Sequence, residues 1–439
     1  MILLQYPTHT LAQDFEIDAR TGFIPPIIPI SRLPSQWEAW ECALDDLKAT
    51  RLQLGSKSNL SVEDTSASEA WRARIRELPI LSIAEMQKSE ALLRRGHQVL
   101  AWILHTYIHS LPLSSPIRIP PPVTIPLFEI CNLLDLPPVH VLSDEVHYNW
   151  TFKAGCMDVL PTTQNICSQL TFTGTKDEEE FQLATTRIEL RGSEALSLMI
   201  NILNEGPSMT PSHLASLLHK ISAVINDLTQ LLLGVRQGCD PEVFYHDVRP
   251  WFGGQTAERA WVFEGLEDPG ELKKPTELSG TSAGQSPLIH ALDVFLGVNS
   301  FSGLHGISGT QSNAVAEVLD KVPTFLERMR SYMPLAHRAF LRHISANPRP
   351  LRSLVMDSED AEAIEAYNTA VRALNGFRDA HIRIVTLYIL GPARRAQKQK
   401  EIIGGPSEGV KGTGGTDLAT FLKGVRDLTA NTVIPAEKK

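Results

Sequence analysis

Apolar and polar positions alternate with a helical period over long stretches of this chain, most clearly near its C-terminal end. From Tyr367 to Leu390 it reads YNTAVRALNGFRDAHIRIVTLYIL, with no Pro and one Gly. Ile364, Tyr367, Val371, Leu374, Arg378, His381, Val385 and Tyr388 recur at steps of three and four residues. That spacing predicts a helix over 359–390 with these side chains on its inward face. Two of the eight, Arg378 and His381, are polar and stand one turn apart. A buried imidazole needs hydrogen-bond partners and a buried guanidinium needs an anion, so this face meets something other than hydrocarbon.

The same reading places the other elements. Residues 1–34 contain GFIPPIIPISRLP and predict an extended strap laid over a surface. From Ser35, a plausible N-cap, SQWEAWECALDDLKATRLQ has helical spacing. Asn59 to Glu69 reads as a polar loop. Ser82 to Ser110 reads as one long helix, burying Ile83, Met86, Leu92, Leu93, Val99, Leu100 and Ile103. SSPIRIPPPVTIP is taken as non-helical, and a short helix follows over Leu127–Leu134. Periodicity weakens from Phe152 to Glu180, which ends in the acidic run KDEEE, and a domain boundary is placed near residue 170. Beyond it helices are predicted over 180–203, 211–236, 287–297, 312–329, 333–345, 359–390 and 417–430. Residues 391–416, basic and then Gly-rich, are expected to form a mobile loop. Alternating β-branched runs are scarce, so the fold class is mainly α. A small N-terminal domain over 1–170 would join a larger all-α domain over 171–439.

Length and composition narrow the function classes. A chain of 439 residues exceeds one small core and suits two domains. Net charge is −9, and Lys and Arg are scattered, which argues against nucleic acid or an anionic membrane as the main partner. Cys42, Cys131, Cys156, Cys167 and Cys239 are odd in number, widely spaced and without a CxxC, as in reduced intracellular thiols. The N-terminus lacks the pattern of a signal peptide and no 18-residue apolar run occurs, so a cytoplasmic protein is expected.

Several constellations carry possible chemistry. His381 and Arg378 have two open readings: a core histidine satisfied by a carbonyl beside an Arg–carboxylate pair, or an imidazole presented to a haem iron with Arg378 on a haem propionate. His105 and His109 are four apart, but the glutamate of an HExxH metal motif is replaced by Thr106, so packing histidines compete with metal binding. Gly280-Thr281-Ser282-Ala283-Gly284 matches GxSxG, with Asp293 and His305 following in the order of a serine hydrolase. The preceding DPGELKKPTELS is no buried strand, which a nucleophile elbow requires. The preferred use of these glycines is close approach of backbone to a flat ligand. Gly412-Thr413-Gly414-Gly415-Thr416-Asp417 lacks the GK[ST] ending of a phosphate loop and reads as a loop at a helix N-cap or as a lid. FYHDVRPWFGG, 244–254, gathers aromatics around Arg249, a residue suited to bidentate grip of a carboxylate beside a planar substrate, or else to the surface beside core aromatics.

In conjunction, LPPVHV…NW (136–150), RIEL (187–190), FYHDVR (244–249), GTSAGQS with LDVFLGV (280–298), YMPLAHRAFL (332–341), FRDAHIRIVTLYIL (377–390) and KGTGGTDL…FLKGVR (411–426) resemble the indoleamine 2,3-dioxygenases. They are collinear and span nearly the whole chain. The resemblance implies a haem b enzyme that inserts both atoms of O2 across the indole C2–C3 bond of L-tryptophan, giving N-formyl-L-kynurenine at the start of the kynurenine pathway and NAD biosynthesis. It implies a large helical haem domain whose distal side is capped by the smaller N-terminal one, in a monomer with no nucleic-acid or membrane partner.

Residue by residue, the resemblance makes His381 the iron ligand and Arg378 a propionate partner, with Asp293 read as the partner of Arg378. Arg249 would grip the substrate carboxylate, and Phe244 would line the distal side against the indole. Thr185 matches a distal hydroxyl and Phe181 a pocket aromatic. Ser282 and Ala283 would contact haem and substrate, and Thr413 belongs to a loop that closes on the substrate. Tyr245 and Gln182 stand where mammalian members carry Phe, Leu142 where they carry Tyr, Glu145 where they carry Cys, and Thr281 where they carry Gly. Those departures bear on the pocket's polarity and shape. Two rivals remain: a haem protein that turns tryptophan over poorly or acts on another indole, and a cofactor-free helical scaffold.

Overall fold

The computed structural model describes residues 15–156, 159–266, 277–298, 324–347, 350–402 and 418–435. The protein is mainly helical; among the described residues the strands are two short pairs. Ile117–Ile119 runs parallel to Trp261–Phe263, and Trp150–Phe152 antiparallel to Ile166–Ser168.

Two large apolar cores organise these helices. One is drawn mostly from residues before 170 and centres on Trp37, Trp40, Trp71 and Trp102, joined by Trp261, Leu278, Met329 and Tyr332 from later segments. Each indole buried here removes a large apolar area from water, worth about 2–3 kcal/mol. Trp37 and Trp71 also satisfy their N–H groups on the Ser82 and Ala43 carbonyls, at 3.0 and 3.1 Å. The second core is built by Pro211–Gly234, Pro287–Leu296 and Ala361–Val385, the long helix lying along Pro211–Gly234. The Pro-rich strap connects the two, since Phe23 is buried in the second core and Leu33 in the first.

Several elements differ from the sequence reading, each for a local reason. The expected loop at Asn59–Glu69 turns helical at Val62, because Ser61 and Asp64 form a reciprocal capping box. That helix, Val62–Glu77, buries little beyond Trp71 and Ile75, so it has scant apolar periodicity to read. The single helix expected over Ser82–Ser110 begins only at Glu90, because Ser89 is extended (φ −148°, ψ 116°) and separates it from a 3-10 turn at Met86–Lys88. The segment around residues 121–126 is helical rather than irregular. Pro121 and Pro122 occupy the first turn of Pro121–Leu134, where no N–H is required.

The acidic run 177–180 is not the end of a loop but the first turn of Lys176–Arg191, capped by the Thr175 hydroxyl, where carboxylates meet the helix dipole favourably. Gly192 divides the expected 180–203 helix into Lys176–Arg191 and Ser193–Glu205. The long C-terminal helix ends at Val385 in a π-turn, Thr386–Leu390, and Gly391–Ile402 continues as helix where a mobile loop was expected. The wide turn accommodates Pro392, which has no N–H to give, and the Ala, Arg, Gln and Lys that follow are strong helix formers. Of the predicted 312–329 helix, Phe325–Arg330 falls among the described residues.

Candidate functional site

Where the long helix, the Lys176–Arg191 helix and the 244–252 turns converge, a cavity of about 260 Å³ opens. Its walls are mostly apolar, with Phe181, Phe244, Phe252, Phe325, Phe377, Ile384 and Phe421 among them. Phe181 anchors one side, its ring 4.3 Å from that of Phe244 and 6.0 Å from that of Phe252. Leu142, Phe181, Thr185, Phe244, Arg249, Ser282, Ala283, Asp293, Arg378 and His381 all line this one space. The helical step from Phe181 to Thr185 brings both onto one face.

One wall is the long helix. His381 lines the cavity half-buried, and its ring makes no hydrogen bond to a described residue. Burial pushes its pKa down to about 4, helped by the Arg378 guanidinium, so the ring is neutral at pH 7 and has a lone pair to offer. One turn earlier, Arg378 is buried and pairs with the Asp293 carboxylate, and its Nη1 reaches the Val425 carbonyl at 3.5 Å. Burial pushes the Asp293 carboxyl up, while Arg378 and Arg330 pull it down. Asp293 sits on Pro287–Leu296, whose His290 also borders the cavity. His290 Nδ1 accepts from Arg330 Nε at 3.3 Å, so Nε2–H donates to the Gly284 carbonyl at 2.9 Å.

The opposite wall is assembled from four segments. Arg249 follows the π-turn Phe244–Val248 and lies 5.6 Å from the Tyr245 ring centroid. Burial pushes its pKa down and the Tyr245 phenol opposes this. Thr185 turns its side chain to the cavity, and its hydroxyl makes no hydrogen bond to a described residue. The Ser282 hydroxyl accepts from the Gly284 N–H at 3.2 Å.

A chain of hydrogen bonds fixes the 280–285 loop. The Thr281 hydroxyl donates to the His140 carbonyl at 3.0 Å and takes the His140 Nδ1–H at 2.7 Å. The His140 N–H donates to His105 Nε2 at 3.1 Å, and His105 Nδ1–H donates to the Trp251 carbonyl at 2.7 Å. The Leu142 N–H binds Gln285 Oε1 at 2.8 Å.

That network gives the two histidines their packing alternative and agrees with setting the hydrolase reading aside. His105 is held by backbone at both ring nitrogens, and His109 Nε2 meets the Gly253 carbonyl at 3.0 Å, which are packing roles. The GxSxG stretch follows irregular backbone, its Ser282 caps Gly284, and its Asp293 is taken by Arg378, which dismantles a hydrolase triad. Gly280 serves backbone packing: a Cβ there would collide with the Phe252 carbonyl, and one on Gly284 would lie 3.0 Å from the Phe325 ring. Those glycines therefore let 252–254 and Phe325 approach the loop.

Two pocket assignments also change. Tyr245 does not line the cavity; the turn carries it away from Phe244 and under Arg249. Gln182 points elsewhere, its Oε1 accepting from Asn149 Nδ2 at 3.3 Å. Thr413 and His305 lie outside the described residues.

Sequence reasoning noted Glu145 only as a departure, yet it lines the cavity. Its side chain is buried on the Ser143–His147 π-turn, and neither oxygen has a hydrogen-bond partner. Burial pushes its pKa up to about 8, with Glu178 and Asp144 adding to the shift. The signal available was an acid inside LPPVHVLSDEVH, a segment otherwise apolar enough to be buried. Asp144 beside it is engaged: its Oδ1 lies 2.9 Å from His97 Nδ1. Burial alone would strip the His97 proton, but Asp144 outweighs that and holds the ring well above its ordinary range.

Comparison with known proteins gives the family. The family profile described as indoleamine 2,3-dioxygenase matches residues 11–432. Indoleamine 2,3-dioxygenase 2 of Homo sapiens is 28% identical over 428 residues, covering 96% of this chain and 95% of the relative. The indoleamine 2,3-dioxygenase of Saccharomyces cerevisiae is 30% identical over 447 residues, covering 95% and 92%. A 6-hydroxytryptophan 2,3-dioxygenase of Fusarium equiseti is 27% identical over 434 residues, covering 95% and 96%. The chain belongs to the indoleamine 2,3-dioxygenase family.

Proposed function

We propose that this protein is a haem-dependent dioxygenase that inserts both atoms of O2 across the indole C2–C3 bond of L-tryptophan, yielding N-formyl-L-kynurenine. The observation that carries the reading is His381: a neutral imidazole, free of hydrogen bonds to described residues, that lines an apolar cavity one turn from a buried arginine. The donor set fits a haem. His381 would ligate the iron, and Arg378 would meet a propionate with Asp293 orienting it. Ser282 and Ala283 would face the ring from the loop. Haem bound there would supply the activation of O2.

The chain's own residues do the positioning. Arg249 would hold the substrate carboxylate, a charge-assisted pairing in a largely buried setting. Phe181, Phe244 and Leu142 would hold the indole by shape, excluding water from the reacting face. Thr185 would offer a hydroxyl to the substrate's polar end. We read Thr413 as part of a closing loop, and the two apolar cores as domains over 1–170 and 171–439, the smaller capping the distal side. A cytoplasmic monomer completes the reading; no described helix is long and apolar enough to cross a membrane.

The test is a visible spectrum of the purified full chain after haem supplementation, followed by turnover with tryptophan, reductant and O2. A Soret band and formylkynurenine release are expected. Absence of the band points to a cofactor-free scaffold; a band without product from tryptophan points to a haem protein acting elsewhere.

A further inference from the structure

Glu145 is an acid in the cavity wall that the proposed reaction leaves without a task. The carboxyl is 2% exposed, both oxygens lack hydrogen-bond partners, and it shares the space lined by Phe181, Thr185 and Phe244. A polar group placed so costs stability unless a ligand answers it. The charges bearing on Glu145 are the carboxylates of Glu178 and Asp144. Glu145 stands three residues from Leu142 on the Ser143–His147 turn, and Leu142 is one of the side chains that would hold the indole, so the acid belongs to the ring end of the cavity. A substrate whose carboxylate reaches Arg249 presents its ring, rather than its amino-acid end, toward Glu145.

The neighbouring acids and the burial also fix the form of the group. Glu178 already accepts from the Phe172 and Thr173 N–H groups at 2.6 Å each, and Asp144 is engaged by His97 and by the Val141 N–H at 3.1 Å. Neither is bonded to Glu145, and burial favours its neutral form, an acid with one O–H donor and one carbonyl acceptor. An indole N–H would satisfy only the acceptor. A hydroxyl both accepts and donates, and so answers both oxygens.

We propose that Glu145 is a specificity-determining residue that selects indole substrates bearing a hydroxyl on the benzenoid ring. The inference rests on the dioxygenase reading for the orientation of the substrate.

Its test compares dissociation constants for L-tryptophan, its 5- and 6-hydroxy derivatives and indole-3-propionic acid. Calorimetry on the haem-supplemented full chain measures them for the wild type, Glu145→Gln and Glu145→Leu, alongside kcat/KM for each indole. The wild type is expected to favour at least one hydroxylated ring on the order of tenfold or more. Glu145→Gln keeps a donor and an acceptor and should retain the preference; Glu145→Leu should bring the ratio near one. A ratio unchanged in Glu145→Leu overturns the proposal, as does equal weakening of all three amino acids with indole-3-propionic acid unaffected, which would make Glu145 an ammonium site. Thermal melts confirm that both variants are folded, and the Gln–Leu contrast survives a shared loss of stability. Hydroxyl-selective binding without cleavage would sink the dioxygenase reading alone; cleavage of tryptophan with no Glu145-dependent ratio would sink this one alone.

Discussion

The two walls of the cavity are built on different terms. The wall carrying His381 and Arg378 is one continuous helix, packed along its length on Pro211–Gly234, and its polar pair is braced by Asp293. The facing wall draws on the 142–147 turn, the Lys176–Arg191 helix, the 244–252 turns and the 280–286 loop, stitched together by side-chain hydrogen bonds. A rigid rod places an imidazole with little freedom. A wall pieced from separate segments can exchange single residues without moving the rest.

That contrast can be broken most sharply at the rod. His381→Ala should abolish haem retention and activity while the fold persists; an unaltered Soret spectrum in the variant would refute the ligand assignment. Asp293→Ala should follow, because it leaves the Arg378 guanidinium buried without its carboxylate. A loss of roughly 3–5 kcal/mol is expected in denaturant unfolding. A loss below about 1 kcal/mol would show that Arg378 finds another anion or water.

On the pieced wall the loss of Arg249 should have a smaller effect, confined to the substrate. Arg249→Ala should raise KM by ten- to a hundredfold, about 1.5–3 kcal/mol, with the haem spectrum intact. Unchanged saturation behaviour would count against its role. A further effect on this wall depends on pH. Glu145 is pushed up to about 8 in the folded protein, from an ordinary carboxylate range of about 4.5. Folding takes up a proton between those values, so this group's contribution to stability falls as pH rises through that window. The facing Glu178, itself pushed up by burial, acts in the same direction, while Asp144 is tied to His97. Glu145→Gln should therefore match the wild type near pH 4.5 and exceed it by up to about 4 kcal/mol at pH 8. A stability difference that stays flat across this range would mean the acid is ionised in the fold.

How far the chain could be read in advance follows the same division. The rod was legible because three- and four-residue spacing is a property of one element, and Arg378 and His381 stood out against it. Phe181 and Thr185 were placed by resemblance and share a face by helical spacing. The Val62–Glu77 helix was hidden because its stability comes from a capping box and two buried side chains rather than an apolar stripe. Pro121–Leu134 was hidden because proline reads as a breaker, whereas Pro121 and Pro122 sit in its first turn and Pro126 is carried inside it. Tyr245 was placed in the pocket by resemblance, whereas the π-turn sets it beneath Arg249. Glu145 could be named but not given a partner, since an orphaned carboxyl is a property of the packed neighbourhood.

The wide turn at Thr386–Leu390 acts as a phase shifter between the two walls. One additional residue in a turn advances everything beyond it by about 100° about the axis. Beyond Val385 the turn still presents Tyr388 and Ile389 to the cavity that Arg378 and His381 line. Past the shift, the Tyr388 hydroxyl donates to the Cys239 carbonyl at 2.7 Å, its ring stands 5.7 Å from that of Phe244, and Arg395 pairs with Glu242 just upstream. The rod that offers the imidazole therefore also buttresses the segment that carries Arg249, so the spacing across the cavity is set from a single backbone.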